Sequence, residues 1–304
     1  MSPLEEALEA IRRRDAARAE QAARRAVEGG PTEPRARAAL ALALVLGHRG
    51  VEAIAEADRA VAAAPGAAWA LLVRAAALRE ARRWREAVAV AEGAARAAPR
   101  DARAQLGLAL SLFAAGHGEE VRGPLERARA SSPDDPLALR LLGEVELRRD
   151  PAAAEQLFRS ALRADARGAE PLAGLARALA RQGRAKEAEE AFEAAAARDP
   201  SIRSDRDARR RDVLAFVQAT LAAFVAVLCF QLGQGAIGSR WPAARGVVAS
   251  LSAIATGLVP AALLGWATLR LRRPREGAPP DPQLASLAGA VGEAAPDQRA
   301  PAGP

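Results

Sequence analysis

The feature that most constrains the fold is a proline that recurs at a constant interval across the first part of the chain. Pro31, Pro65, Pro99 and Pro133 are evenly spaced, and Pro200 follows Pro133 after two such intervals less one position. Because a proline cannot continue a helix, each of these positions closes a structural unit. We therefore predict six units, which end near residues 31, 65, 99, 133, 166 and 200, and a turn that is one position short in the fifth.

Small residues recur at two fixed points in these units. Alanine precedes every unit end at the same distance, at Ala26, Ala60, Ala94, Ala128, Ala161 and Ala195. Further from each end stand Ala19, Ala53, Ala87, Val121, Ala154 and Ala188, again at one common distance. Helices that cross closely need small residues at the crossing points. Each unit is therefore predicted to be a pair of packed helices.

The last unit, residues 169–200, shows the helix pair most clearly. Leu172, Leu175 and Leu179 form an apolar stripe with the helical period, and Gly183 stands where the helix end needs a left-handed residue. A second amphipathic helix follows, up to the closing proline. One pair cannot bury its apolar stripes alone, so copies of the unit must stack on it.

Period, small residues and proline together resemble the tetratricopeptide repeat family. The family's small position eight is filled by Ala7, Ala41, Ala75, Ala109 and Ala176. Its bulky position 24 is only alanine in the first three units (Ala23, Ala57, Ala91), then Leu125, Phe158 and Phe192, so the early units should have thinner cores. The resemblance covers residues 1–200 and implies an all-α fold, a right-handed α-solenoid of about six helix pairs.

The resemblance also assigns a partner-binding groove, because in this family the first helices of the pairs line a concave surface. The groove residues are Leu42, Val45, Leu46, Trp69, Leu72, Val73, Arg79, Leu106, Leu110, Phe113, Arg177 and Arg181. The groove is thus apolar in units two to four and more basic in the last, which favours an amphipathic helix or an apolar extended peptide. The family's clamp for chaperone C-termini needs asparagine, which the chain lacks. Alternatively, part of this surface is core, or is covered by the chain's own first helix or tail.

The charge distribution argues against nucleic acid as a partner. Residues 1–200 carry 32 basic and 30 acidic side chains, and residues 201–304 carry 12 and 7, so the repeats are nearly neutral. A nucleic-acid-binding domain would present a basic face. The single lysine and the absence of asparagine indicate a GC-rich, bacterial coding sequence rather than a chemical function.

The sequence predicts no catalytic, cofactor or metal site. His48 and His117 fall in turns two units apart, and the single cysteine, Cys229, lies in an apolar run. Phosphate-binding loops, dinucleotide fingerprints and nucleophile elbows are all missing from the sequence. We therefore do not expect an enzyme.

Two uncharged runs, residues 213–232 and 246–269, are long enough to span a bilayer. The loop between them, 233–245, has two arginines. Nine arginines flank the hairpin, within residues 203–211 and 270–275, and six of them are Arg209, Arg210, Arg211, Arg270, Arg272 and Arg273. Positive flanks stay in the cytoplasm, so both termini should lie there, with the hairpin in a bacterial inner membrane. The basic segment 201–212 would cap the repeats before the first span.

Small residues recur every four positions in the second run, at Ala253, Gly257, Ala261 and Gly265. Such a stripe allows close packing, either within the hairpin or between two copies of the protein in a homo-oligomer. The remaining segment, 270–304, is rich in proline, alanine and glycine, so we expect a disordered tail with at most a transient helix over residues 284–291.

These features predict a membrane-anchored adaptor that holds a partner protein at the inner face of the membrane. The alternative is a structural or assembly subunit of a membrane complex for transport or envelope biogenesis, with the hairpin making the specific contacts. A catalytic membrane protein ranks last, because the spans contain no ionisable group other than Cys229.

Overall fold

The computed structural model describes residues 1–30, 33–204, 206, 214, 217, 218 and 281–293. Thirteen long helices lie in this part of the chain. They are α1 (Pro3–Arg12), α2 (Ala16–Gly29), α3 (Pro34–Leu46), α4 (Gly50–Ala63), α5 (Ala68–Glu80), α6 (Trp84–Ala97), α7 (Ala102–Ala115), α8 (Arg122–Ser131), α9 (Pro136–Glu146), α10 (Pro151–Ala164), α11 (Ala169–Arg181), α12 (Ala185–Arg198) and α13 (Leu284–Glu293).

Helices α1 to α12 form the six predicted pairs; the first five predicted unit ends fall between consecutive pairs, and the sixth follows α12. Each helix packs against the next one along the chain, and the first helices of neighbouring pairs also touch, α1 with α3, α3 with α5, α5 with α7, and α9 with α11. The pairs therefore stack as a solenoid. We call the face formed by α1, α3, α5 and α7 the groove.

A left-handed residue ends the first helix in five of the six pairs. It is Arg14, His48, Arg82, Gly116 and Gly183, with φ between 58° and 84°. The predicted left-handed turn at Gly183 is thus confirmed, although in three units a residue with a side chain takes the same conformation.

The fifth unit has no such residue among those that the structure describes. Its helices α9 and α10 begin at positions 136 and 151, whereas α11 and α12 of the sixth unit begin at positions 169 and 185. The fifth pair is therefore one position shorter from helix start to helix start, as the sequence predicts. The position that it lacks is the left-handed one.

The small residues lie where the pairs cross. Those at the two recurring points are buried, apart from Ala26, which is half-buried. At position 24, Ala23, Ala57 and Ala91 are buried without filling much volume, which confirms the thin early cores.

Phe158, the bulky counterpart of these alanines in the fifth unit, is fully buried between two glycines. A Cβ atom added to Gly143 would lie 2.8 Å from the phenyl ring, and one added to Gly174 would clash with it. The two glycines thus make the space that the ring fills.

The structure describes part of the tail that was predicted to be disordered. The prediction of a disordered tail was wrong for residues 281–293, of which 284–293 form α13, in the same compact unit as α1 to α12. The physical reason is that Leu284, Leu287 and Val291 find an apolar surface there, which outweighs the poor helix propensity of the surrounding glycines.

The predicted hairpin (213–232, 233–245, 246–269) lies outside the described residues, apart from isolated positions in the first run. Its flanking arginines other than Arg203 and Arg206 lie outside them too. Within the described part of the chain, no helix is long and apolar enough to cross a membrane. In the segment 201–212, residues 201–204 are helical, and the predicted cap itself stays a prediction.

Candidate functional site: the occupied groove

Helix α13 lies in the groove, against α1, α3 and α5. Its apolar residues recur at the spacing i, i+3, i+4 and i+7, as Leu284, Leu287, Ala288 and Val291, and each is at most 3% exposed. This is the pattern of an amphipathic helix that docks in an apolar cleft. The groove therefore already holds a helical ligand, which the chain itself supplies.

The sequence just before α13 explains why a helix starts there. The Oδ1 of Asp281 accepts a hydrogen bond from the backbone N–H of Gln283 at 2.9 Å, and the N–H of Leu284 donates to the Asp281 carbonyl at 3.1 Å. Pro282, next in the chain, fits a helix start because its fixed φ suits the first turn. The carboxylate also faces the positive end of the helix.

A buried ion pair joins the start of α13 to the middle of the groove. The Nε of Arg79 on α5 donates to the Oδ2 of Asp281 at 3.0 Å, and the two side chains are only 8% and 7% exposed. The Nη1 of Arg79 also donates to the Ser111 hydroxyl at 3.1 Å and the Gly107 carbonyl at 3.4 Å on α7. A buried guanidinium is stable only when its donors are matched in this way.

Gln283 adds a second polar contact beside this ion pair. Its Nε2 donates to the carbonyl of Arg103 at 2.7 Å, and its Oε1 accepts from the Nη2 of Arg79 at 3.4 Å. The side chain is fully buried. Gly107 lies beside this amide, and a Cβ there would clash with the Leu72 side chain.

Two further arginines hold the end of α13. The Nε and Nη2 of Arg35 on α3 donate to the carbonyls of Val291 and Gly292 at 2.8 Å and 2.9 Å, which pairs carbonyls that a helix end leaves open. Arg103 on α7 bonds the Glu293 carboxylate with both terminal nitrogens at 2.9 Å. Burial opposes the charge of Arg103, but the Glu293 hydrogen bond and the charge of Asp101 outweigh it and raise the pKa of Arg103.

The structure places the residues predicted to line the groove in two environments. Besides Arg79, seven apolar ones are buried, at most 9% exposed: Leu42, Val45, Leu46, Leu72, Val73, Leu106 and Leu110. Trp69 is half-buried, whereas Phe113 is 49% exposed. Of the alternatives that the sequence left open, the structure therefore shows a groove whose apolar residues belong to the core and are partly covered by the tail.

The two arginines predicted for the groove in the last unit lie apart from α13. Arg177 and Arg181 are exposed on α11, and the Nη1 of Arg177 donates to the Glu144 carboxylate of α9 at 2.7 Å. A role for them in partner binding stays a prediction.

Several residues that hold α13 were missed by the sequence reasoning. They are Arg35, Ser111, Asp281, Gln283 and Glu293. The signal was the spacing of Leu284, Leu287, Ala288 and Val291, which the proline-rich and glycine-rich surroundings of the tail obscured.

The histidines have ordinary partners in surface turns. Nδ1 of His48 lies 3.0 Å from the Glu80 carboxylate, and Nδ1 of His117 lies 3.0 Å from that of Glu120. Among the residues that the structure describes, no cluster of three histidine, cysteine or acidic side chains could hold a metal ion. The chemistry that this arrangement supports is the recognition of a helix.

Sequence comparisons agree with this architecture. One family model described as tetratricopeptide repeat matches residues 78–145 and 147–208, and a second with the same description matches residues 4–68 and 123–169. Together they cover more than half of the chain. The comparison with curated proteins finds no match.

Solved structures share the fold at low identity. The APC/C hetero-tetramer Cut9-Hcn1 matches with a TM-score of 0.58 and 18% identity over 63% of this chain, which spans only 38% of that chain. A thermophilic repeat protein of Thermus thermophilus matches with a TM-score of 0.54 and 22% identity, over 59% of this chain and 97% of that one.

PilW, described as a widely conserved type IV pilus biogenesis factor, is similar with a TM-score of 0.55 and 20% identity, over 65% of this chain and 92% of that one. At these identities the likeness shows the fold alone. Stacked helix pairs, small residues at their crossings and matching family models over residues 4–208 lead to one conclusion: the chain belongs to the tetratricopeptide repeat family.

Proposed function

We propose that the protein is a membrane-anchored adaptor whose groove binds a helical segment of a partner protein. Tetratricopeptide repeat proteins mediate protein–protein interactions. The observation that supports a helical ligand is α13 itself, which is seated in the groove by four apolar residues and by arginines at both of its ends. An extended peptide would not match the i, i+3, i+4, i+7 spacing of these contacts.

The test of the adaptor function is capture of a partner from native membranes with the full chain. Leu287→Asp places a carboxylate at a fully buried position and should empty the groove, whereas Ala285→Asp makes the same change on the exposed side of α13. We expect Leu287→Asp to cross-link a partner that is lost when Arg79→Gln is added. If the set of captured proteins is the same with and without Arg79→Gln, the groove is not the binding site.

The membrane anchor rests on the two uncharged runs, 213–232 and 246–269, and on the excess of arginine outside them. We propose that they form a hairpin in the bacterial inner membrane, with the repeats and the tail in the cytoplasm. Carbonate washing of membranes should leave the protein in the pellet, and its release would refute the anchor.

A second candidate function is that of an assembly subunit in a membrane complex. The small-residue stripe at Ala253, Gly257, Ala261 and Gly265 favours it, because such a face packs closely against another helix. The fold shared with a pilus biogenesis factor is compatible with either function. Exchange of residues 213–269 for an unrelated hairpin separates them, since an adaptor keeps its partner and an assembly subunit loses it.

A further inference from the structure

We infer that α13 is a tethered competitor of the partner: the partner is an amphipathic helix with the recognition pattern of α13, and it binds when α13 leaves the groove. The inference rests on the proposed function and adds the chemistry of the partner and the regulation of the site. The pattern consists of Asp281, Gln283, Leu284, Leu287, Ala288, Val291 and Glu293, that is, an acidic start, a buried amide, four apolar positions and an acidic end.

The charges of the groove select this partner. Arg35, Arg79 and Arg103, one from each of α3, α5 and α7, meet carboxylates and backbone carbonyl oxygens of the bound helix. Arg79 lies at the start of that helix and is nearly buried when the groove is occupied. A partner with a basic residue at either acidic position would place like charges together, which weakens binding and excludes such a helix.

The repeats keep their own helix-to-helix contacts without α13, so the helix can leave. Helices α1 to α8 pack against their own pair partners and against the next pair, and these contacts do not involve α13. When α13 leaves, the Arg79 guanidinium keeps its contacts with Ser111 and Gly107 on α7, and water replaces Asp281. The guanidinium is then hydrated. The loss of a buried ion pair is costly when it leaves a charge buried without a partner, and that does not happen here.

α13 is also a weaker ligand than the groove allows. It has ten residues, and a helix shorter than about 12–15 residues is marginal in water. Gly289 lowers its helix propensity further. A Cβ at Gly289 would meet only the Glu293 carboxylate, at 3.9 Å, so the glycine is not needed for packing. A longer helix without this glycine would bind more tightly and could displace α13, even though the tether raises the local concentration of α13 to the millimolar range.

The experiment measures binding of a fluorescent synthetic peptide of residues 281–293, with blocked ends, to the purified full chain by anisotropy. In the wild-type chain α13 should occupy the groove, so only the fraction of chains with an open groove can bind the peptide. The apparent affinity for the peptide is reduced by that fraction. We expect Leu287→Asp to bind the peptide at least about tenfold more tightly than the wild type, because it removes the competitor. The matched control Ala285→Asp should behave like the wild type.

A second variant moves the affinity in the opposite direction. Gly289→Ala in the chain strengthens the helix and should weaken peptide binding about fivefold relative to the wild type, from the helix propensity difference alone. A purely structural role of α13 gives no reason for a surface alanine to reduce binding. Peptides with Asp281→Asn or Leu287→Asp should bind the Leu287→Asp chain at least about tenfold more weakly than the native peptide, since each loses a buried contact.

The outcomes separate this inference from the proposed function. Equal affinity of the wild-type and Leu287→Asp chains for the peptide overturns the competition, while the groove remains a helix-binding site. A Leu287→Asp chain that keeps its helical circular dichroism but does not bind the peptide overturns the helix-binding function itself. A wild-type chain that is a dimer, and that Leu287→Asp converts into a monomer, overturns the tethered arrangement in favour of an exchange of α13 between copies.

Discussion

The first three repeat units and the last two bury their cores in different ways. The first three units have alanine at the bulky position, and their core is completed by Leu284, Leu287 and Val291 of α13. The fifth unit uses Phe158, which fills the space left by Gly143 and Gly174. One region therefore depends on a segment distant in sequence, whereas the other is closed by its immediate neighbours.

Buried charges show the same difference. Arg79 in the third unit is paired with Asp281, which lies far along the chain. Glu155 in the fifth unit, whose side chain is 6% exposed, accepts hydrogen bonds from Gln182 and Arg184 at 2.8 Å and 2.9 Å in the next unit. Glu155 is thus paired within the last two units, whereas Arg79 joins the third unit to the tail.

The strongest test of this difference is Phe158→Ala. We expect it to lower the free energy of unfolding by about 3–5 kcal/mol, because it opens a cavity at a fully buried position. Hydrogen exchange should rise in α9 to α12 and stay unchanged in α13. The half-buried Phe192 provides the control, since Phe192→Ala should cost less. A simultaneous loss of protection in α13 would mean that the two regions are coupled.

Gly174→Ala tests the same packing from the other side. The added methyl group would clash with the Phe158 ring. We therefore expect the free energy of unfolding, measured in urea, to fall by about 1–3 kcal/mol. The double variant Gly174→Ala with Phe158→Leu should recover part of this loss. Gly289→Ala on α13 is the contrasting change, because its methyl group has room and should stabilise the docked helix.

Acid should affect the last two units through Glu155. Burial raises the pKa of this carboxyl, but hydrogen bonds from Gln182 and Arg184 and the charge of Arg159 outweigh burial and lower it. A folded pKa below the unfolded one contributes stability above the unfolded value of about 4.3, and this stability is lost as the pH falls through the folded pKa.

We therefore expect the midpoint temperature for the unfolding of α9 to α12 to fall when the pH is lowered below about 4.3. At neutral pH, Glu155→Gln should cost about 1.5 kcal/mol and flatten this pH dependence. Glu20 in the first unit, whose pKa is lowered mainly by Arg24, is 26% exposed, so Glu20→Gln should have a smaller effect. An equal effect of both changes would contradict the role of burial.

The smallest effect is expected at the exposed end of α13. Glu293 is 68% exposed where it meets Arg103, so Glu293→Gln should change stability by less than about 1 kcal/mol, and salt should weaken the contact further. Asp281→Asn, at the buried end, should instead release α13, detected as faster hydrogen exchange in residues 284–293. If Glu293→Gln releases the helix as readily as Asp281→Asn, the ion pair at Arg79 is not what anchors it.

The helix repeats could be predicted from the sequence, whereas the docking of α13 on them could not. Helix pairs, unit ends and the short fifth turn are local features with a fixed period, so Pro65, Ala60 or Gly183 mark them directly. The left-handed turns at His48 and Arg82 carry no glycine, so the sequence does not mark them. The docking of α13 joins Asp281 to Arg79, and no periodic pattern links positions so far apart.

The order of the helices along the chain has a consequence for biosynthesis. All four helices that form the groove have been made once Ala115 is added, whereas α13 begins only at Leu284. At about 5–20 residues per second, the synthesis of the intervening chain lasts roughly 10–30 seconds. Throughout that interval the nascent chain presents the groove helices without α13, so under the proposed competition a partner made nearby would meet an unoccupied groove.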